Sequence, residues 1–300
     1  MVNFAYPTRH TWLSVLASEL KWKTVNIQAN LLHTYVSDVV ERHRSAGEKA
    51  IFTPTVLSSW QPFHSSAFKL RAFYKSIFRM PTFNDLYYTF VGNSTLNPEL
   101  AKQINLGFTY YLPLDKGKLQ SLTFSGDIYN NDVKDKIVAI PTVTLFRWTM
   151  VNLDRVNIKG FELHAQSLWQ FGNFTSKLKA NYTYEKALDM TKTGYTYKHQ
   201  VPYIPVHSGS VTYAADYRNW GANYSFIYTG ERYSQKANIP VNYVPAWYTH
   251  DFALHKRIHL PKWQYKVSIE VNNFLNHYYD VVLNYPMPGR NYRISLSANF

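Results

Sequence analysis

The 300-residue chain has no cysteine, so neither disulfides nor thiolate metal sites hold it together. No apolar run approaches the 18 or so residues that a transmembrane helix needs. Charge is sparse, at 17% of residues against roughly 25% in ordinary globular domains. Acidic residues are the scarcer kind, 19 against 32 basic, which leaves a formal net charge of +13. Such an excess suggests nucleic acid, an anionic surface or an acidic ligand. The Lys and Arg residues are scattered singly, however, and no nucleic-acid-binding motif is present, so nucleic acid is not expected as a partner. The G-x-S-x-G, H-E-x-x-H and P-loop patterns are also missing, and no catalytic residues are assigned.

Aromatic residues are abundant: 25 Tyr, 18 Phe and 8 Trp. They fall into stretches that alternate with period two, the signature of strands with one apolar and one polar face. In "WQYKVSIEVNNFL", Trp263, Tyr265, Val267, Ile269 and Val271 share one parity, while Lys266, Ser268, Glu270 and Asn272 take the other. "NWGANYSFIYTG", "KLQSLTFSGDIYN" and "NFTSKLKANYTYE" repeat the design. The first twenty residues alternate as well, which reads as a strand and not as the apolar core of a signal peptide. Helical periodicity is absent, so the fold class is all-β.

Alternating strands build either a soluble sandwich or an outer-membrane barrel. Strands are expected near 10–19, 24–40, 49–60, 66–77, 100–111, 118–130, 156–169, 174–186, 206–217, 219–230, 247–258, 263–275 and 291–300. All exceed the usual five or six residues and suit a tilted bilayer crossing. Tyr and Trp gather at strand ends, as interfacial girdles require. The connections alternate between tight turns ("LKWK", "QPFHS", "PLDKG", "QFGN", "RN", "HLPK") and long links around 78–99, 131–155, 187–205, 231–246 and 276–290. A sandwich has no reason to sort its loops in this way. An antiparallel transmembrane β-barrel does, with short periplasmic turns and long external loops. In the last strand Tyr292, Ile294, Leu296 and Phe300 lie on the apolar face, and a terminal aromatic there resembles the signal read by the barrel assembly machinery.

Two stretches exceed what barrel geometry requires, "FRMPTFNDLYYTFVGNSTLNPEL" (Phe78 to Leu100) and "VNNFLNHYYDVVLNYPMPGRNYRISLSANF" (Val271 to Phe300), and a third, "NLDRVNIKGFELHAQ" (Asn152 to Gln166), carries Gly160 and Glu162 inside a strand. Their Phe-Arg-x-Pro-Thr…Asn-Pro-Glu and Asn-x-x-Tyr…Pro-Gly-Arg patterns resemble the TonB-dependent outer-membrane receptors, over roughly residues 66 to 300. The resemblance implies a barrel of twenty-two strands, a globular plug inside it and an N-terminal box that contacts TonB. Neither plug nor box is found here. Residues 1–300, with about 13 strands, are therefore expected to be the C-terminal portion of such a barrel. The implied function is TonB-dependent uptake of a scarce solute of the siderophore, haem or corrinoid class at the cell outer membrane. Its partners would be outer-membrane lipid and lipopolysaccharide, TonB, the assembly machinery and the small-molecule ligand. A passive, plugless diffusion channel is the alternative, and a barrel enzyme would need a nucleophile and base that the sequence does not offer.

Ligand contacts are expected in the external loops, where aromatics and cations occur together: Tyr87, Tyr88, Arg147, Trp148, Tyr195, Tyr197, Lys198, Arg232, Tyr233, Tyr278 and Tyr279. Aromatic faces near Arg or Lys suit a large, flat or anionic solute; the same residues also suit an interfacial girdle in contact with lipopolysaccharide. No cofactor or metal is expected. His255 and His259 share a face, but four residues of strand hold them roughly 13 Å apart, too far for one ion. "DIYNNDVKDK" (Asp127 to Lys136) lacks the glycine and final glutamate of an EF-hand loop and reads as a polar loop with at most loose Ca²⁺ binding.

Overall fold

The computed structural model describes residues 5–42, 45–63, 67–88, 91–114, 117–142, 147–192 and 194–299. Its elements are β1 (Thr8–Trp22), β2 (Val25–Val39), β3 (Glu48–Trp60), β4 (Phe68–Arg79), α1 (Phe83–Tyr87), β5 (Glu99–Pro113), β6 (Leu119–Pro141), β7 (Trp148–Phe171), β8 (Phe174–Asp189), β9 (His207–Tyr217), β10 (Trp220–Thr229), β11 (Arg232–Tyr233), β12 (Tyr243–Val244), β13 (Trp247–His259), β14 (Gln264–Asn272), β15 (Asp280–Val282), β16 (Tyr285–Pro286) and β17 (Asn291–Asn299). Thirteen of them form one antiparallel sheet in the order β1 to β10, β13, β14, β17. The pairs β11–β12 and β15–β16 are separate short ribbons within the long connections.

Pairing runs between chain neighbours throughout, because each tight turn returns the chain directly onto its predecessor. Trp22 pairs with Val25, Phe171 with Phe174 and Tyr217 with Trp220, which leaves two-residue turns. Lys23, Gly172 and Arg218 each open such a turn with a positive φ, as the twist of a tight hairpin demands. All tight turns lie at one end of the sheet, the turn side; the long connections lie at the other, the loop side. Both edge strands, β1 and β17, have one partner each among the described residues and run toward the turn side.

The register sorts the side chains as the alternation requires. Ile269 pairs with Leu254 and Ile294, Val267 with Leu296, and Val271 with Tyr292, which makes one apolar surface. Ser268 pairs with His255 and Ser295, and Glu270 with Arg293, on the opposite polar surface. Ile269 and Ile294 remain exposed, whereas Ser268 and His255 are buried. The outward face is therefore the greasy one. Tyr292, Ile294 and Leu296 all lie on it, each more than two-thirds exposed; Phe300 lies outside the described residues.

The expected loop at 131–155 is a correction. β6 continues to Pro141 and β7 begins at Trp148, so the two form one hairpin of 23- and 24-residue strands. At roughly 3.3 Å per residue, β7 is about 80 Å long, far more than a hydrocarbon core of about 30 Å needs even with tilt. The hairpin projects past the other strands on the loop side. Its outer part buries both faces: Ile137 packs with Leu86, Tyr87 and Leu96, while neighbouring Val138 packs against Val133, Leu153 and Val201. Two-sided burial removes the polar alternation that marks a strand, leaving Ile137 to Ile140 as an unbroken apolar run. The polar-loop reading of Asp127 to Lys136 falls with it. These residues lie within β6, and Asp127 and Asp132 are ion-paired with Arg71 and Arg155.

Candidate functional site

On the loop side the connections are fastened to one another and form a continuous assembly above the sheet. Residues 80–88 and 91–98 make its first clip. Thr82 caps α1 by accepting the Asp85 N–H at 3.1 Å, and Asp85 reciprocates by accepting the Thr82 N–H at 2.9 Å, a capping box that satisfies two orphan donors. Arg79 reaches both Asp85 and Glu99. Arg9, from β1, forms a bidentate pair with buried Asp38 at 2.7 Å and 2.7 Å, donates to the Pro81 carbonyl and lies over the Phe83 ring. Asn93 donates to Met150, and Asn97 and Asn152 bond reciprocally, which pins the loop to the long hairpin. The Phe-Arg-x-Pro-Thr…Asn-Pro-Glu pattern is thus the chemistry of a clip.

The hairpin tip is tied to the next loops. Trp148 packs its ring 5.7 Å from that of Tyr203, the Tyr203 N–H donates to the Tyr233 carbonyl, and Gln235 donates to the Pro141 carbonyl. His199 and Gln200 are held by Lys236 and Asn238. Arg232 closes the circuit. It is 3% exposed and its guanidinium donates to the carbonyls of Gly230, Pro245, Asp280 and Val281. Burial pushes its pKa below the ordinary guanidinium value and pushes the Tyr203 and Tyr279 hydroxyls upward.

The last connection explains a second motif. Asn273 holds the Phe274–His277 turn by accepting the His277 N–H and donating to the His277 carbonyl. Asn276 accepts the Arg290 N–H at 2.8 Å, and a Cβ at Gly289 would stand 2.6 Å from that same Asn276 oxygen. Asn-x-x-Tyr…Pro-Gly-Arg is a locked crossing of two chain segments.

The eleven loop residues assigned to ligand contact divide accordingly. Tyr88, Arg147, Tyr195, Tyr197, Lys198 and Tyr278 are exposed, Tyr195 at 83%, with Lys198 over the Tyr197 ring. Trp148, Tyr233 and Tyr279 are half-buried in ring pairs with Tyr203, Tyr243 and Trp247. Tyr87 and Arg232 are buried within the assembly, one in an apolar cluster and the other among carbonyls. Sequence reasoning missed Tyr203 and Arg9, which organise the assembly. Arg9 sits in a strand, and nothing local marks a clip whose partners lie 29 and 72 residues away.

Below the assembly the inward face is polar. Arg71 bonds Thr109 and Asp127, Tyr129 donates to Glu185, and Asp216 lies between His255 and Arg257. Tyr129 lies across Gly160, its partner in the register, where a Cβ would meet the Tyr129 hydroxyl at 2.7 Å and the Tyr184 carbonyl. His250 is held by Tyr224 on the outward face and His259 closes β13, so the three neighbouring histidines do not converge. The arrangement offers an aromatic, cation-bearing mouth over a polar inner wall.

A family model described as TonB dependent receptor-like, beta-barrel, matches residues 3–274. A vitamin B12 transporter of Vibrio vulnificus is 33% identical over 105 residues, 35% of this chain and 16% of that protein. A vitamin B12 transporter of Photobacterium profundum is 29% identical over 164 residues, 54% of this chain and 24% of that protein. Among solved structures, the copper transporter OprC matches with a TM-score of 0.73 at 15% identity, over 97% of this chain and 48% of that one. The ferric preacinetobactin receptor of Acinetobacter baumannii matches with a TM-score of 0.70 at 16% identity, over 97% and 43%. The chain spans under a quarter of the curated relatives it matches and under half of these structures.

Proposed function

The chain belongs to the TonB-dependent receptor β-barrel family, whose members are outer-membrane transporters and not enzymes, and on that premise we propose that it forms the C-terminal part of a receptor barrel for active uptake of a scarce solute. The solute would be met by the exposed aromatics of the loop assembly and admitted when TonB acts on a plug. Within the siderophore, haem and corrinoid classes, the two vitamin B12 transporters among the relatives favour a corrinoid. The observation that carries this reading is the fastened mouth: a passive pore has no need of loops clipped from β1 to β15. We read the two unpaired sheet edges as continued by further strands, since open edges are not tolerated in lipid and pairing β1 with β17 would be parallel.

The test is corrinoid binding to intact cells making the protein, with and without TonB. High-affinity binding in both and accumulation only with TonB is the expected result. A steady open conductance in planar bilayers, without saturable binding, would instead establish a plugless channel. Orientation is checked separately: a single cysteine at Val241 should react with an impermeant thiol reagent on intact cells, and one at Asn219 only after the outer membrane is opened. The reverse pattern would invert the barrel.

A further inference from the structure

At the turn side the outward face carries a second organised surface. Following the register across five strands, Phe171 pairs with Phe174, Phe174 with Tyr217, Tyr217 with Trp220, and Trp220 with Lys256. Four interstrand steps of roughly 4.8 Å make this row about 19 Å long. Each exposed aromatic in it has a cation over its ring: Lys118 over Phe171 at 5.4 Å, Arg218 over Tyr217 at 5.3 Å and Lys256 over Trp220 at 4.9 Å. All three cations are exposed, and none enters an ion pair among the described residues. The next outward positions, Trp169, Ser176, Ala215, Ala222 and Leu254, contain no acidic group. Neighbouring Asp216 and Arg257 have the opposite parity and pair with each other on the inner face.

We infer that this row is a binding strip for anionic glycerophospholipid in the leaflet at the turn side. An aromatic ring suits the interface where chains meet headgroups, and a cation held over it meets the phosphodiester at the same depth. Zwitterionic headgroups bring no net charge to three exposed cations, so charge complementarity selects the anionic lipid. The inference shares the orientation of the proposed uptake function but not its ligand: loss of corrinoid uptake leaves it standing, and loss of lipid selectivity leaves uptake standing.

The test uses the protein isolated from its outer membrane in mild detergent, with co-purifying phosphatidylglycerol, phosphatidylethanolamine and lipopolysaccharide counted per barrel. The triple exchange Lys118→Gln, Arg218→Gln, Lys256→Gln should lower retained phosphatidylglycerol by roughly fivefold per charge, leaving phosphatidylethanolamine unchanged. The equal-charge control Lys177→Gln, Lys179→Gln, Lys266→Gln, on the inner face, should retain the wild-type amount. An equal loss in both triples, no phosphatidylglycerol preference in the wild type, or a selective loss of lipopolysaccharide would each overturn the inference. If the triple exchange gives no folded barrel, the single exchanges decide the matter, and Lys256→Arg should keep the lipid that Lys256→Gln loses.

Discussion

The sheet wall and the loop-side assembly are made of one chain yet obey opposite rules. Among the described residues, the buried apolar side chains, including Val36, Leu86, Leu96, Ile137, Val156 and Val201, lie in the loop-side halves of their strands or in the connections beyond them. The wall has almost none; Leu16, Leu20, Ile128, Ile269 and Leu296 face outward, uncovered by protein. The assembly builds a small interior of its own, with capped ends and paired charges, as a water-soluble domain does. The wall leaves its apolar surface to lipid and keeps hydrogen bonding within the ladder. One chain thus folds against two solvents, and the boundary lies near the ends of the shorter strands.

The largest test of that contrast is Asp38→Ala, which leaves Arg9 uncompensated at the foot of the first clip. It should destabilise the assembly by about 3–5 kcal/mol, as removal of one partner from a buried pair does. Hydrogen exchange should rise across 80–98 and leave β10, β13 and β14 unchanged; uniform loosening would show that wall and assembly unfold as one. Next is Ile269→Arg, placed mid-wall on the lipid face, which should cost about 2–4 kcal/mol of barrel stability. Ser295→Arg, on the inner face of the adjoining strand, should cost much less. Equal losses in urea titrations of the two would contradict the face assignment.

A smaller effect is expected from Gly160→Ala. The added methyl meets the Tyr129 hydroxyl and a backbone carbonyl, an overpacking worth about 1–3 kcal/mol, and loosens the Tyr129–Glu185 bond. The double change Tyr129→Ala with Gly160→Ala should recover part of that loss; a purely additive result would place the clash elsewhere. Least visible in stability is Tyr195→Ala, at a side chain 83% exposed, which should stay within about 0.5 kcal/mol. It should still weaken solute binding. Unchanged affinity would remove the 190–198 loop from the mouth's contact surface.

The same contrast explains how much was legible. In the wall, alternation and turns located all thirteen strands, because lipid on one face and a polar interior on the other impose a strict period. In the assembly both faces of the β6–β7 extension are covered, so its period vanished and the segment read as loop. α1 is only five residues long, and its one local sign is Thr82 three positions before Asp85. Aromatics and cations in long loops usually face water, but here the loops have an interior that takes in Tyr87 and Arg232. Tyr88, Tyr195 and Tyr197 remain exposed.

The clips also settle an ambiguity that lipid cannot. Sliding one strand past its neighbour by a single residue turns its apolar face inward, and the bilayer rejects that at once. Sliding by two restores the parity, and the wall alone has little with which to object. Such a slip moves every loop anchor by roughly 6.6 Å. Arg9 would miss Pro81, Gln235 would miss Pro141, and Arg232 would miss Asp280 and Val281. The loop side therefore works as a vernier on the barrel: odd errors are read by hydrocarbon, even errors by hydrogen bonds that close at one setting only.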